Sequence, residues 1–224
     1  CTRDKSSSDD TINFPLSGEI STLDPVNSYD AVSASVVYQG YEQLFEYHYL
    51  QRPYKLIPLL AKSMPKVEDD GKKYIIQIKE NIQYHPDPSF KGKKRFVKAQ
   101  DFITQIKRLA FKHSNSNGWW LFDGRIKGIN KFREEVGNDF EKFKSTSITG
   151  LTAPDDHTLI IELSEPYPQM LNALAMSFTS PLPLETVEYY KHNLNSVLVG
   201  TGAYKLDKWT RGSKVILSKF KNYH

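Results

Sequence analysis

Asp69-Asp70-Gly71-Lys72-Lys73-Tyr74-Ile75-Ile76-Gln77-Ile78 and Asp155-Asp156-His157-Thr158-Leu159-Ile160-Ile161-Glu162-Leu163 are two versions of one pattern, the second a residue shorter. Each opens on residues that tolerate a left-handed backbone and runs into a β-rich strand, the form of a hairpin. The alternation along each strand is only approximate, which predicts burial on both faces. Paired aspartates suit acid–base chemistry, because two close carboxylates can split their pKa values. At a hairpin tip, however, Asp-Asp-Gly is first of all turn chemistry, and the pairs are read as turns.

Between the hairpins, Lys98 to Phe111 places Ala99, Phe102, Ile103, Ile106, Leu109 and Ala110 on one face, the clearest helix in the chain. A polar loop, His113 to Gly118, leads to Trp119-Trp120-Leu121-Phe122. A helix is predicted over Ile129 to Phe143, and shorter ones over Pro168 to Ser177 and Leu184 to Lys191. Before the first hairpin, Thr11 to Phe14 reads as a strand and Ala31 to Tyr47 as an amphipathic helix containing Gly40. The last stretch reads as a tight turn at Gly200-Thr201-Gly202, a strand through Tyr204 and Trp209, a turn at Arg211-Gly212 and a strand to Phe220. Hairpins alternating with helices predict an α/β architecture.

Composition bounds the function. The 224 residues carry 30 Lys+Arg against 26 Asp+Glu, a formal charge of +4, with the basic residues scattered. That is a poor footprint for nucleic acid, and no nucleic-acid partner is expected. No apolar run approaches the roughly 20 residues that cross a bilayer. The 13 Tyr, 12 Phe and 3 Trp supply adaptable contact surface as well as core.

A search for catalytic or cofactor chemistry ends empty. With Cys1 as the single cysteine and six scattered histidines, no zinc spacing exists, and no metal or cofactor is expected. His85-Pro86-Asp87 comes nearest to a ligand pair but reads as a structural segment at a strand end. There is no Gly-x-Ser-x-Gly elbow. Gly200-Thr201-Gly202 lacks the Lys-Ser/Thr of a phosphate loop. The basic run Lys91 to Arg95 lacks the interleaved aromatics of a stacking surface. An enzyme is not expected.

Cys1 carries a different message. A chain opening on Cys followed by polar, aperiodic residues to Asp10 reads as a bacterial lipoprotein, cut before the cysteine that takes the lipid. Residues 1–10 would be a flexible tether, and a multiply acylated Cys1 would hold the domain at a membrane surface at about 0.8 kcal/mol per buried methylene. A boundary falling on Cys by chance is the alternative.

The ordered motifs reach further than their chemistry. Leu23-Asp24-Pro25, Tyr41-Glu42-Gln43-Leu44, Ile57-Pro58-Leu59-Leu60-Ala61-Lys62-Ser63 and the first hairpin come in sequence. Ile82 to His85, Lys98 to Phe102, the second hairpin with Leu163-Ser164-Glu165-Pro166, and Gly200 to Leu206 with Trp209 follow. In this order they resemble the bacterial extracellular solute-binding proteins that serve oligopeptide and dipeptide ABC transporters, family 5, over residues 12–224. The family's usual His-Asp-Gly is replaced here by His85-Pro86-Asp87-Pro88-Ser89-Phe90 and a basic insertion. Family members run to more than twice this length, so the resemblance covers the amino-terminal portion only. Residues 11–224 would form one lobe, with an accessory subdomain inserted at roughly residues 45–180 and the second lobe absent.

The resemblance implies a mixed-sheet lobe of the periplasmic-binding-protein-like type II fold with an inserted α+β accessory subdomain. It implies the substrate-binding component of an ABC importer, at the periplasm or cell surface and lipid-anchored, with an oligopeptide and the transporter's permease subunits as partners. The family works by closing two lobes over its ligand, which requires better contacts in the closed state than in the open one. Peptide is held extended by main-chain hydrogen bonds, with side chains in roomy aromatic pockets. By position, Tyr29, Asp30, Ala31 and Val32 would offer main-chain groups to the ligand, and Trp119 and Trp120 would line the pocket, one ring in and one out, after a flexible loop. Tyr204 and Trp209 are expected to pack the lobe. Alternatives are another small solute (a nickel complex, heme or a sugar) or a truncated surface module that binds a partner without transport.

Overall fold

The computed structural model describes residues 11–224, and the lipidation and tether readings at Cys1 to Asp10 lie outside the described residues. Its organising element is helix Ala99–Ala110. The N–H of Lys98 donates to the Asp101 carboxylate at 2.8 Å, and that of Ala99 to the carbonyl of Asp156 at 2.8 Å, so the second hairpin's turn caps the helix start. Phe102, Ile103, Ile106, Leu109 and Ala110 are buried as the spacing predicts. So are the polar Thr104, Gln105, Lys107 and Arg108 on the remaining faces. Gln105 reaches the carbonyl of Phe178 at 2.8 Å, which makes the polar side a buried contact face.

In chain order the elements are α1 (Ala31–Gly40), β1 (Phe45–Tyr47), β2 (Leu56–Pro58), β3 (Lys66–Glu68), β4 (Lys73–Gln77) and α2 (Ala99–Ala110). Then come α3 (Ile129–Val136), α4 (Phe140–Ser145), β5 (Leu151–Asp155), β6 (Thr158–Glu162), α5 (Met170–Ala173), α6 (Leu184–Tyr189), β7 (Tyr204–Thr210) and β8 (Lys214–Lys219). The twin segments are neighbours in one antiparallel sheet of order β3-β4-β6-β5. Tyr74 lies opposite Ile161 and Ile76 opposite Leu159 on the buried face, while Ile75 opposite Ile160 is half-buried on the other. The expectation of burial on both faces is thus corrected: one face alone is fully covered. Its core runs through Leu159, Ile161, Phe102, Ile106 and Phe132.

Both aspartate pairs serve turns. Asp69 and Asp70 each adopt a φ of 51°, and the Asp155 carboxylate accepts from the His157 N–H and the Thr158 hydroxyl, each at 2.8 Å.

Several sequence expectations are redrawn. Residues 11–14 form no strand, and Ile12 and Phe14 stay exposed. The helix expected to Tyr47 stops at Gly40, where a Cβ would stand 2.1 Å from the Leu198 side chain. After the stop, Leu44 and Phe45 turn fully into the main core and β1 begins. The helix expected over 129–143 breaks at Gly137, whose φ of 56° ends α3, and Asp139 caps α4 by accepting from Lys142 at 3.1 Å. Of residues 168–177 only Met170–Ala173 is α-helical.

A second, smaller core joins α1 to the β7–β8 ribbon through Leu23, Val36, Val37, Tyr41 and Leu198, with Trp209 packed against it. Trp209 is therefore a packing residue, whereas Tyr204 lies outside both cores and is 42% exposed. A Cβ on Gly200 would meet the Gly40 carbonyl oxygen at 1.9 Å, and the Gly202 N–H donates to that same oxygen at 3.0 Å. Gly200-Thr201-Gly202 is thus the close approach of two backbones.

Candidate ligand-binding site

The loop after Leu23-Asp24-Pro25 is fixed from below. Arg108 on α2 donates to Asp24 from both terminal nitrogens, at 2.6 and 3.1 Å, with side chains only 1% and 3% exposed. The Val26 N–H donates to the same carboxylate at 3.2 Å, and the Arg108 guanidinium also reaches the Gln105 side-chain oxygen at 3.2 Å. A buried pair of this kind adds little net stability, yet it fixes register strongly, since a lone charge left there is costly.

On this footing the four predicted main-chain residues stand at the entry to α1. Tyr29 is 65% exposed, its ring centroid 6.1 Å from that of Phe178. Asp30 is the N-cap: its carboxylate accepts from the Ser33 N–H at 2.7 Å and the Ser21 hydroxyl at 2.6 Å. Slight burial would raise its pKa, but the hydrogen bonds from Ser21 and Ser33 outweigh burial and hold the carboxyl below its ordinary value. That side chain is committed to the helix. Ala31 is exposed and Val32 half-buried against the small core. First-turn N–H groups such as theirs have no acceptor within the helix and remain as main-chain donors.

The tryptophans sit next door. The loop before them, expected to be flexible, is instead stitched down. The Ser116 hydroxyl and the Asn117 N–H both donate to the Val26 carbonyl, at 2.9 and 3.1 Å, and the Asn117 amide donates to that of Asn27 at 3.0 Å. Gly118 lies so close to Phe178 that a Cβ would stand 2.6 Å from its ring. Trp119 packs partly into the main core with the Arg133 guanidinium 4.6 Å over its ring, while Trp120 is 50% exposed. Phe178 thus packs beside both Tyr29 and Gly118, the residue before Trp119.

Phe178, Asp24 and Arg108 carry this arrangement and escaped the sequence reading. Leu23-Asp24-Pro25 was visible as a motif, but nothing in sequence pointed from Asp24 to an arginine beyond the first hairpin. His85 and Asp87 diverge: the His85 ring nitrogen meets the Gly202 carbonyl at 2.8 Å, and Asp87 accepts from Ser89 and Tyr190. Among the described residues no group of three or more His, Cys, Asp or Glu is placed to hold a metal, and no helix is long and apolar enough to cross a membrane. What this face exposes is the main chain at the entry to α1 and the rings of Tyr29 and Trp120.

Comparison with known proteins identifies the family and the fold. The family model described as "Bacterial extracellular solute-binding proteins, family 5 Middle" matches residues 55–224. The glutathione-binding protein GsiB of Escherichia coli (strain K12) is 26% identical over 211 residues, which cover 93% of this chain and 34% of GsiB. A periplasmic oligopeptide-binding protein from Borrelia burgdorferi superposes with a TM-score of 0.75 at 25% identity, over 92% of this chain and 38% of that one. The periplasmic binding protein DppA from Helicobacter pylori, in complex with the peptide STSA, gives a TM-score of 0.67 at 25% identity, over 92% of this chain and 38% of that one. The fold is therefore the type II fold of periplasmic peptide-binding proteins, and the chain spans about a third of the length of the curated relatives it matches.

Proposed function

The chain belongs to the bacterial extracellular solute-binding proteins of family 5, and on that premise we propose that it is the amino-terminal portion of the substrate-binding component of an ABC importer. In this reading it holds an oligopeptide extended and presents it to the permease subunits outside the cytoplasmic membrane. The observation that carries the proposal is the Tyr29–Val32 entry to α1, pinned by the buried Asp24–Arg108 pair beside the Trp119–Trp120 turn. An extended peptide satisfies its own main chain against such N–H groups whatever its side chains, which permits broad specificity. In this reading the half-exposed Trp120 packs on a ligand side chain, while Trp119 packs partly into the core.

The proposed domain plan keeps residues 11–224 as one lobe with an accessory subdomain at roughly residues 45–180. In this plan the closing lobe would belong to the part of the relatives' length that this chain does not span. A lipid on Cys1 would keep the protein at the membrane, and intact mass with labelled fatty acid checks it: a mature Cys1 without acyl mass rejects the anchor.

Calorimetry with a mixed tripeptide library, run on this chain and on a version carrying the second lobe, tests the function. Binding with a negative heat-capacity change is expected, weaker for the single lobe. Trp120→Ala should weaken it about tenfold, the loss of roughly 1.4 kcal/mol of aromatic contact. Silence from both chains would favour a surface interaction module. GsiB supports a second reading in which the ligand is a single small solute. Glutathione competing with the library at equal concentration would select it.

A further inference from the structure

The β1–β2 hairpin closes at His48, whose N–H donates to the Lys55 carbonyl at 2.8 Å, and every residue from 49 to 55 beyond that bond is exposed. Tyr49, Leu50 and Tyr54 are 88%, 76% and 70% exposed, and none of them joins either core. One exposed apolar side chain is ordinary, but three on one tip make a patch that calls for an occupant.

The tip is also shaped in advance. The His48 ring nitrogen accepts from the N–H groups of Leu50 and Gln51, each at 3.2 Å. Arg52 donates to the carbonyls of Tyr49 and Gln51 at 3.3 and 2.8 Å, and its guanidinium lies 4.2 Å over the Tyr54 ring. The Tyr47 ring meets that of Tyr54 edge-on at 6.0 Å between centroids, and its hydroxyl accepts from Asn172 at 2.8 Å. Several main-chain groups of the tip are therefore satisfied from within, which lowers the cost of taking them out of water.

We propose that this tip docks into the headgroup region of an anionic lipid bilayer. Tyrosine joins an apolar ring to a polar end, the combination that a membrane–water interface favours, and Leu50 supplies a purely apolar side chain between Tyr49 and the cations. Charge points the same way. Between Tyr47 and Ser63 the charged residues are Arg52, Lys55 and Lys62, with no acid among them. Lys55 is exposed and has no ion-pair partner among the described residues. The acid next in sequence, Glu46, is half-buried at the base of the hairpin, opposite Ile57.

Size decides against a protein partner. A stable protein–protein interface takes roughly 20–30 residues a side, far more than residues 49–55 can offer. A bilayer accepts a few side chains at a time, and its anionic headgroups reward each cation near the surface. The proposal stands independently of peptide binding and of a lipid on Cys1.

The test is co-sedimentation of the whole chain with vesicles of phosphatidylcholine, alone or mixed with phosphatidylglycerol, at low and high salt. Binding to the anionic vesicles should be at least about tenfold tighter than to the neutral ones and should weaken as salt rises. Arg52→Gln with Lys55→Gln should remove most of that preference, and Tyr49→Ser with Leu50→Ser should weaken anionic binding about tenfold. Both variants change exposed side chains and should unfold close to the parent's temperature. Added anionic vesicles should slow hydrogen exchange most over residues 48–56. Equal binding to the two vesicles overturns the proposal, as does undiminished binding by both variants or no binding at low salt. A concentration-dependent dimer abolished by Tyr49→Ser with Leu50→Ser overturns it in favour of a second copy. Slow exchange over residues 48–56 without vesicles, in a version carrying the second lobe, overturns it in favour of the rest of the chain.

Discussion

At its first turn α2 buries an acid, and near its last turn it buries a base. Asp101 meets the Arg95 guanidinium at 2.6 and 3.1 Å, the Lys98 N–H at 2.8 Å and the Tyr84 hydroxyl at 3.1 Å. Its partner Arg95 is local in sequence, keeps one edge toward solvent and is shared with Glu185 at 2.7 Å. Arg108 instead meets Asp24 across the fold, both sealed from water. The first end is a network of several partners, most of them near in sequence, and the second is one sealed, two-bonded ion pair between distant parts of the chain. The difference shows where this lobe concentrates its risk: at the pair that positions the proposed ligand loop.

Breaking the second end should cost most. Arg108→Leu leaves the Asp24 charge buried and alone, and urea unfolding should show a loss of about 3–5 kcal/mol. Asp24→Asn with Arg108→Met removes both charges and should recover most of that loss. If the double variant is no better than the single, the cost is packing and the contrast between the ends collapses. Asp101→Asn keeps the shape and one acceptor for Lys98, and should lose only about 1–2 kcal/mol.

The pH dependence sharpens the comparison, because the two ends pull in opposite directions. Burial outweighs Arg95, the Lys98 N–H and Tyr84 and lifts the Asp101 carboxyl from 3.8 to about 6. The folded chain then holds this proton more tightly than the unfolded one, so the Asp101 contribution falls as pH rises from about 4 to about 6. Just past the other end the His192 ring lies 5.4 Å from that of Phe111, and burial depresses it from 6.5 to about 4, so its contribution falls as pH drops through that window. Against the parent, Asp101→Asn should make stability rise more steeply with pH between about 4 and 6, and His192→Phe less steeply. Parallel profiles for the two variants would refute the opposition. The smallest effect belongs to Glu185→Gln at the solvent edge of the first network, within about 1 kcal/mol in the same unfolding assay.

How much of this was legible depends on the range of the signal. The α2 face, both hairpin turns and the final ribbon follow from periods and turn residues a few positions apart. The twin Asp-Asp segments were visible as alike, but their pairing as β4 and β6 was not, since strand pairing is settled by the whole sheet. The helix was carried past Gly40 because Val32, Val36, Leu44 and Phe45 keep its spacing, while what stops it is Leu198 and Gly200 far along the chain. The tryptophan turn and the loop at Tyr29 were named from family order, and Phe178, which joins them, carries no local mark.

The contact between Gly40 and the Gly200–Gly202 turn has a consequence for biosynthesis. α1 is made early, yet the surfaces that complete its packing arrive more than 150 residues later. During vectorial synthesis the small core must stay open until the β7–β8 ribbon emerges. A chaperone at the ribosome therefore meets α1 without its packing partners until residues 198–219 have been made.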